Sequence, residues 1–335
     1  MQNPVDGMPH RRPGSVRRTV TTDMVRPDGL GGKLVLSGNA RDLLTRTVGG
    51  TPEVVATAAT RLEVDYMDGW GIRSLTSEPS RDALKQLVGT AAGSGFRRRM
   101  IDVDPGLLDE VSLLHQLLDD VPVATLVSGQ AYMAGLVVTD GVDAKFGSRR
   151  FRSGRASFGR DMCAGYIDGG TVMTGIDLYG ASPLVDVPVA GRLATDDMWA
   201  WHELPELPRH AMRRARRIDV VPVDSCSTTV DVYFRDSSVT HEGIETVVHE
   251  YEVSMDVEDG EVTSIAATPR VLPWIECPAA AASAGRLLGV PLEGLRAHIR
   301  SAFTGVGTCT HLSDTLRSLG DIPELISKAL AAPAA

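Results

Sequence analysis

Four residues in the last third of the chain carry donor atoms suited to one chemistry. His249, Cys277, Cys309 and His311 supply two thiols and two imidazoles. Soft thiolate and imidazole ligands in a set of four suit a zinc or iron ion. With an open coordination position such an ion polarises a carbonyl or activates water; with none it is structural. The spacing does not follow a standard zinc finger. The same residues also allow a metal-free reading, with Cys277 or Cys309 as nucleophile and His249 or His311 as its base. Cys277 and His311 are the residues expected to carry catalysis. No other stretch concentrates reactive side chains in this way.

The local sequence says how these residues are held. His249, Tyr251, Val253, Met255 and Val257 alternate with Glu250, Glu252, Ser254 and Asp256. That is the period of a half-buried strand with His249 on its apolar side. Asp259-Gly260 makes a tight turn, and Val262 to Ala266 reads as the returning strand. Pro278 predicts a helix start, with Cys277 at its N-cap and Gly289 as its stop. A helix N-terminus lowers a thiol pKa, so Cys277 is expected to be a good thiolate. Leu292, Leu295, Ile299 and Phe303 mark a second helix. Leu312, Leu316 and Leu319 mark a third, with Cys309 just before it.

The landmarks His-x-x-x-V, a D-G turn, C-P-x-A and a closing G-x-x-x-C-T-H-L resemble a bacterial family of uncharacterised function. In this chain they are His249 to Val253, Asp259-Gly260, Cys277 to Ala280 and Gly305 to Leu312. The same order of strand, turn, strand, cysteine and small-residue helix is more distantly similar to U-type iron–sulfur cluster scaffold proteins. That resemblance implies that Cys277 and Cys309 take the places of two cluster-binding cysteines. It departs at His311, because the scaffold pattern puts its histidine immediately before the late cysteine. A shared fold is easier to defend on this likeness than a shared function.

The rest of the chain sets the frame. At 335 residues it is long enough for about two domains. Its net charge of −9 argues against nonspecific nucleic-acid binding. Four cysteines are too few for a disulfide scaffold and fit a reducing cytoplasm. No apolar run is long enough to span a membrane. No phosphate-cradling loop, dinucleotide fingerprint or G-x-S-x-G elbow occurs.

Short matches recur about two hundred residues apart and in the same order. Arg17-Arg18 resembles Arg216-Arg217, Asp68-Gly69 resembles Asp259-Gly260, and Leu87-Val88-Gly89 resembles Leu287-Leu288-Gly289. On that register Thr60, Ser77 and Glu110 stand where His249, Cys277 and His311 are. The expected fold is therefore α+β, with two related α+β halves flanking a β-rich middle segment. The divisions are a disordered tail over 1–16, a first half over 17–123 and a middle segment with connector over 124–210. The second half, over 211–328, carries the site, and 329–335 is a frayed end. Runs at Ala124 to Val127, Gly135 to Val138 and Val172 to Leu178 read as strands of the middle segment.

Substrate contacts are expected from Arg155, within the cluster Arg149 to Arg160, and from Trp201 and His202. Arg213, Arg214, Arg216 and Arg217 read as a solvated or interdomain face. Cys163 reads as a buried structural cysteine that could also face the site. The sequence supports a metal-dependent hydrolase or lyase acting on a small anionic or aromatic metabolite. The alternatives are an iron–sulfur or sulfur-handling scaffold and a cysteine-dependent thioesterase or acyl transferase.

Overall fold

Two groups of four consecutive strands, far apart in the chain, join edge to edge. The computed structural model describes residues 3–139, 159–179, 182–183, 185, 187–193 and 196–331. The first group is β1 (Ser15–Val25), β2 (Leu34–Thr45), β3 (Glu53–Asp65) and β4 (Gly71–Glu78). The second is β5 (Met212–Pro222), β6 (Ser227–Val239), β7 (Glu245–Glu258) and β8 (Glu261–Val271). Together they make one antiparallel sheet in the order β4-β3-β2-β1-β5-β6-β7-β8. Pro269 is tolerated because β8 lies at an edge of the sheet.

This corrects the expected fold. There are not two separate α+β halves around a β-rich middle; there is one sheet, and its strands come from two blocks. Among its described residues the middle of the chain carries helices and irregular loops rather than strands. Ala124 to Val127 closes α3 (Ser112–Val127), and Gly135 to Val138 falls in α4 (Gly129–Thr139). Val172 to Leu178 falls in α5 (Thr171–Tyr179). A short apolar run fits a buried helix turn as well as a strand, and here helical packing wins.

The other helices are α1 (Phe96–Val103), α2 (Leu107–Glu110), α6 (Leu295–Ala302), α7 (Thr310–Ser318) and α8 (Ile322–Leu330). The last helix runs into the stretch expected to fray. Helices from both blocks cover one sheet face and build two apolar cores there. Leu87, Phe96, Leu114 and Leu118 pack on Val20, Leu36 and Leu62. Leu287, Leu295, Leu316 and Leu325 pack on Ile218, Val232 and Val253. The opposite face is covered by the N-terminal segment and the connector, where Met8, Leu193 and Trp201 pack on Ala215 and Tyr233. Residues 3–14 are therefore packed rather than a free tail: Arg11 pairs with Asp197 at 2.7 Å.

The two blocks repeat the same devices. Arg17 pairs with Asp219 and Arg213 with Asp23, each across the β1–β5 seam. Arg18 forks onto Asp42, and Arg214 forks onto Asp236, each on the neighbouring strand. A bulge follows Asp42 and another follows Asp236. The equivalent of Arg17-Arg18 is thus Arg213-Arg214, three residues earlier than the sequence matches suggest. Ala56, not Thr60, stands opposite Asp42 as His249 stands opposite Asp236. Ser77 lies on β4, where it pairs with Thr60. Gly89 and Gly289 both take positive φ, and their N–H groups bond Ile72 and Val262 at 2.8 Å.

Between the two cores lies a belt of charge. Arg18, Arg214 and Arg216 are among the most deeply buried side chains of the protein. Arg18 also reaches Asp321 at 2.8 Å, and Arg214 reaches Asp314 at 2.9 Å. Arg216 forks onto Asp120. The arginine run expected at the surface is the centre of the sheet, because each guanidinium that goes inside finds a carboxylate: Arg213 pairs with Asp23, Arg214 with Asp236 and Asp314, Arg216 with Asp120 and Arg217 with Asp219. Removing one partner of such a pair strands the other charge, at a cost of about 3–5 kcal/mol. Urea unfolding of Arg18→Met and Arg214→Met should each show a loss of that order. A loss below about 1 kcal/mol, as for an ordinary surface change, would contradict this placement.

Candidate metal centre

His249 comes from β7 and faces the helices, on the side its alternation predicts. Tyr251, Val253, Met255 and Val257 share that face in the core. His311 comes from the first turn of α7, and Cys309 is the N-cap of the same helix. The two imidazoles stack, with ring centroids 3.6 Å apart and planes 20° apart. Each turns one nitrogen to the same carboxylate oxygen. His249 Nδ1 is 3.4 Å and His311 Nε2 is 3.5 Å from Asp236 Oδ2. At that length the contacts are electrostatic rather than full hydrogen bonds. Both nitrogens are buried without a hydrogen-bond partner.

Asp236 is fixed from below. Both its oxygens accept from Arg214, at 2.9 and 3.1 Å. Burial raises its pKa, but Arg214 and the imidazoles outweigh burial and hold it well below the carboxylate range. Asp236, His249 and His311 form a compact trio, with one candidate ligand atom from each within 4.8 Å of the others. A cation bound to Asp236 would lie against the Arg214 guanidinium. Asp236 is better suited to orienting the imidazoles than to ligating an ion.

The thiols lie on the other side of the histidines. Cys309 Sγ is 3.9 Å from His311 Nδ1. Cys163, Cys277 and Cys309 line one cavity of about 70 Å³ together with His249 and His311. Trp274, Tyr166 and Gln130 complete much of the wall. Cys163 is brought there by a docked loop. Ala164 N–H donates to Thr308 O at 2.8 Å, beside Cys309. Thr171 donates to Glu276 through its N–H and its hydroxyl, beside Cys277. At Gly165 a Cβ atom would sit 2.8 Å from Cys277 Sγ, so the loop can approach only with glycine there.

The electrostatics reverse one expectation. Cys277 opens a 3-10 segment, Cys277–Leu287, rather than an α-helix. Burial, with the Cys309 thiol next to it, pushes its pKa up to about 12. Burial likewise pushes Cys309 up to about 11. Without an added cation Cys277 and Cys309 are therefore held as neutral thiols. Burial and the neighbouring His249 hold His311 well below the usual imidazole range. All three cysteines here are free.

The four residues singled out by sequence thus share one cavity. Two others belong with them. Asp236 gives no signal in the sequence because it is one polar residue in an alternating strand. Cys163 lies more than a hundred residues upstream of Cys277; its compact Asp161-Met162-Cys163-Ala164-Gly165 run was the available hint. Trp201 and His202 do not join the cavity. They lie on the opposite sheet face, where His202 bonds the Thr19 and Thr21 hydroxyls at 2.9 and 2.8 Å. Arg155, with Arg149, Arg150 and Arg152, lies outside the described residues. Arg160 pairs with Asp168 and Asp177.

Residues 212–324 match the model of a family described as a protein of unknown function, DUF2889. The match runs from β5 into α8 and takes in Asp236, His249, Cys277, Cys309 and His311. It stops short of Cys163. No curated protein and no solved structure matches the chain. The likeness to a family of uncharacterised function therefore stands, and neither comparison extends to iron–sulfur scaffolds. Among the described residues no helix is long and apolar enough to cross a membrane.

The placement of His202 has a consequence for stability. Burial, with Arg41 and Arg213 nearby, lowers its pKa from 6.5 to about 4. Between those values the unfolded chain binds a proton that the folded chain refuses, so stability falls as pH falls. The slope from one such group is at most about 1.4 kcal/mol per pH unit. Thermal unfolding at about pH 5 should come at lower temperature than at about pH 7. His202→Gln should flatten that dependence; an unchanged slope in the variant would contradict the assignment.

Proposed function

We propose that this chain holds one zinc or iron ion in the Cys163–Cys277–Cys309 cavity and uses it as a metal-dependent hydrolase or lyase on a small metabolite. The observation that carries the reading is the convergence of three free buried thiols and two imidazoles on one small cavity. These donors come from a docked loop, β7, a 3-10 segment and the start of α7. The donor set is soft, as zinc and iron prefer. His311 turns Nδ1 to the Cys309 side and Nε2 to Asp236. A metal-bound histidine commonly gives its second nitrogen to a carboxylate in this way.

In this reading Cys163, Cys277, Cys309 and His311 would hold the ion, and catalysis needs one of the four to give way to water or substrate, since a closed four-ligand site is structural. When bound, it supplies polarisation of a carbonyl or activation of water. His249 then has a task of its own. Its Nδ1 faces Asp236, and Nε2 is left to take up or deliver a proton at the cavity. Trp274 and Tyr166 exclude bulk water from one side. Gln130 and Thr310 supply polar groups that could orient a substrate oxygen.

A second reading is favoured by one observation. Cys309 Sγ, His311 and Asp236 form a chain with contacts of 3.9 and 3.5 Å. That is the order of nucleophile, base and orienting carboxylate in a thiol hydrolase.

Elemental analysis of purified wild type should give about one zinc or iron per chain. Cys163→Ala and Cys277→Ala should each lose most of it while remaining folded by circular dichroism. Metal-free wild type under both aerobic and anaerobic preparation would overturn the metal reading. Inactivation of that protein by one equivalent of alkylating agent would then favour the Cys309 nucleophile.

A further inference from the structure

A second, larger cavity of about 340 Å³ lies on the helical side of the molecule, away from the thiols. One wall is the α1–α2 region with His115 of α3. The other is the start of α6, with Leu292, Leu295, Arg296 and Arg300. It is therefore a cleft between the helices of the two strand blocks. Its size suits a small organic molecule.

The lining divides by chemistry. Met100, Leu107, Leu292 and Leu295 supply an apolar floor. Arg296 makes a single hydrogen bond, from Nη2 to Asp321 at 2.6 Å. Its Nε and Nη1 make none among the described residues. Arg300 stands at the rim and is in no ion pair among the described residues. His115 is 1 % exposed, and its Nδ1 has no hydrogen-bond partner. A buried ring nitrogen without a partner is costly unless something completes it.

The carboxylates on the wall do not cancel this charge. Asp104 is held by Nε and Nη2 of Arg81, and Asp109 is exposed. What remains is Nε and Nη1 of Arg296, whose Nη2 is taken by Asp321, together with the Arg300 guanidinium and an imidazole above a greasy floor. Guanidinium donors match a carboxylate, and the floor matches an aliphatic or aromatic body.

We infer that this cleft is a binding site for a small carboxylate with an apolar body, held by Arg296, Arg300 and His115. Because the ligand touches helices from both blocks, binding also fastens the blocks to each other. The inference stands on different residues from the metal centre and does not depend on it.

Hexanoate is the probe, with hexanamide as the neutral match in size and shape. Titration of the full chain, followed by amide chemical shifts and by thermal unfolding, should show hexanoate saturating and raising Tm. Hexanamide should bind at least roughly tenfold more weakly. Arg300→Gln, a rim change that leaves the fold intact, should weaken hexanoate several-fold, and Arg296→Gln with Arg300→Gln should abolish the Tm increase. Cys277→Ala should leave hexanoate binding unchanged, which separates this cleft from the thiol cavity. No saturable binding, equal binding of acid and amide, or full binding in the double variant would each overturn the inference.

Discussion

The fork between Arg214 and Asp236 is the interaction on which the rest of the structure leans. It lies where the central strand β5 meets β6, beneath the stacked imidazoles. A carboxylate this deep is tolerable only if its charge is answered at once, and Arg214 answers both oxygens. Arg214 is answered in turn by Asp314 of α7. The same contact that holds α7 against the sheet thus sets the height of His311, three residues earlier on that helix. Asp236 then gives both rings a common direction. Fold and site are joined by one carboxylate.

The belt around this fork explains why the helical face of the sheet carries two apolar cores rather than one. Leu and Val side chains fill the sheet face on either side of the β1–β5 seam, while charge fills the seam itself. Burial of apolar surface stabilises each block. The ion pairs across the seam add direction instead, since an arginine fork fits its carboxylate in one register only. Arg17 with Asp219 and Arg213 with Asp23 fix how β1 lies along β5. A slip of one residue would separate both pairs and send every side chain to the wrong face.

Much of the site was legible in the sequence because local rules govern it. Alternation placed His249 on the buried face of β7. The Asp259-Gly260 turn returned β8, and the residue before a leucine-striped helix proved to be the Cys309 cap. What local rules do not reach was missed or left open, as Cys163 was, read as a structural cysteine that could also face the site. Cys163 meets Cys277 only through a loop that crosses the fold on a glycine. Asp236 is distinguished by what lies under it, not by its neighbours in sequence. The arginine run looked like a solvated face because long cations usually are one; only the tertiary fold supplies the carboxylates that admit them. The middle segment was read as strands since runs of four to seven residues carry too little period to tell strand from helix, and its helices were decided by packing. The apolar start of the 3-10 segment likewise looked like an α-helix, with the thiol activated at its end. Burial overrides that small dipole effect at Cys277.

The central claim is that the thiols, not Asp236, surround a metal. X-ray absorption at the zinc or iron edge of the purified wild-type protein tests it most directly, because sulfur and oxygen neighbours are distinguished by distance. The account predicts at least two sulfur neighbours at about 2.3 Å, with imidazole nitrogen nearer, at about 2.0 Å. A first shell of nitrogen and oxygen alone would contradict it and would move the ion to the Asp236–His249–His311 trio.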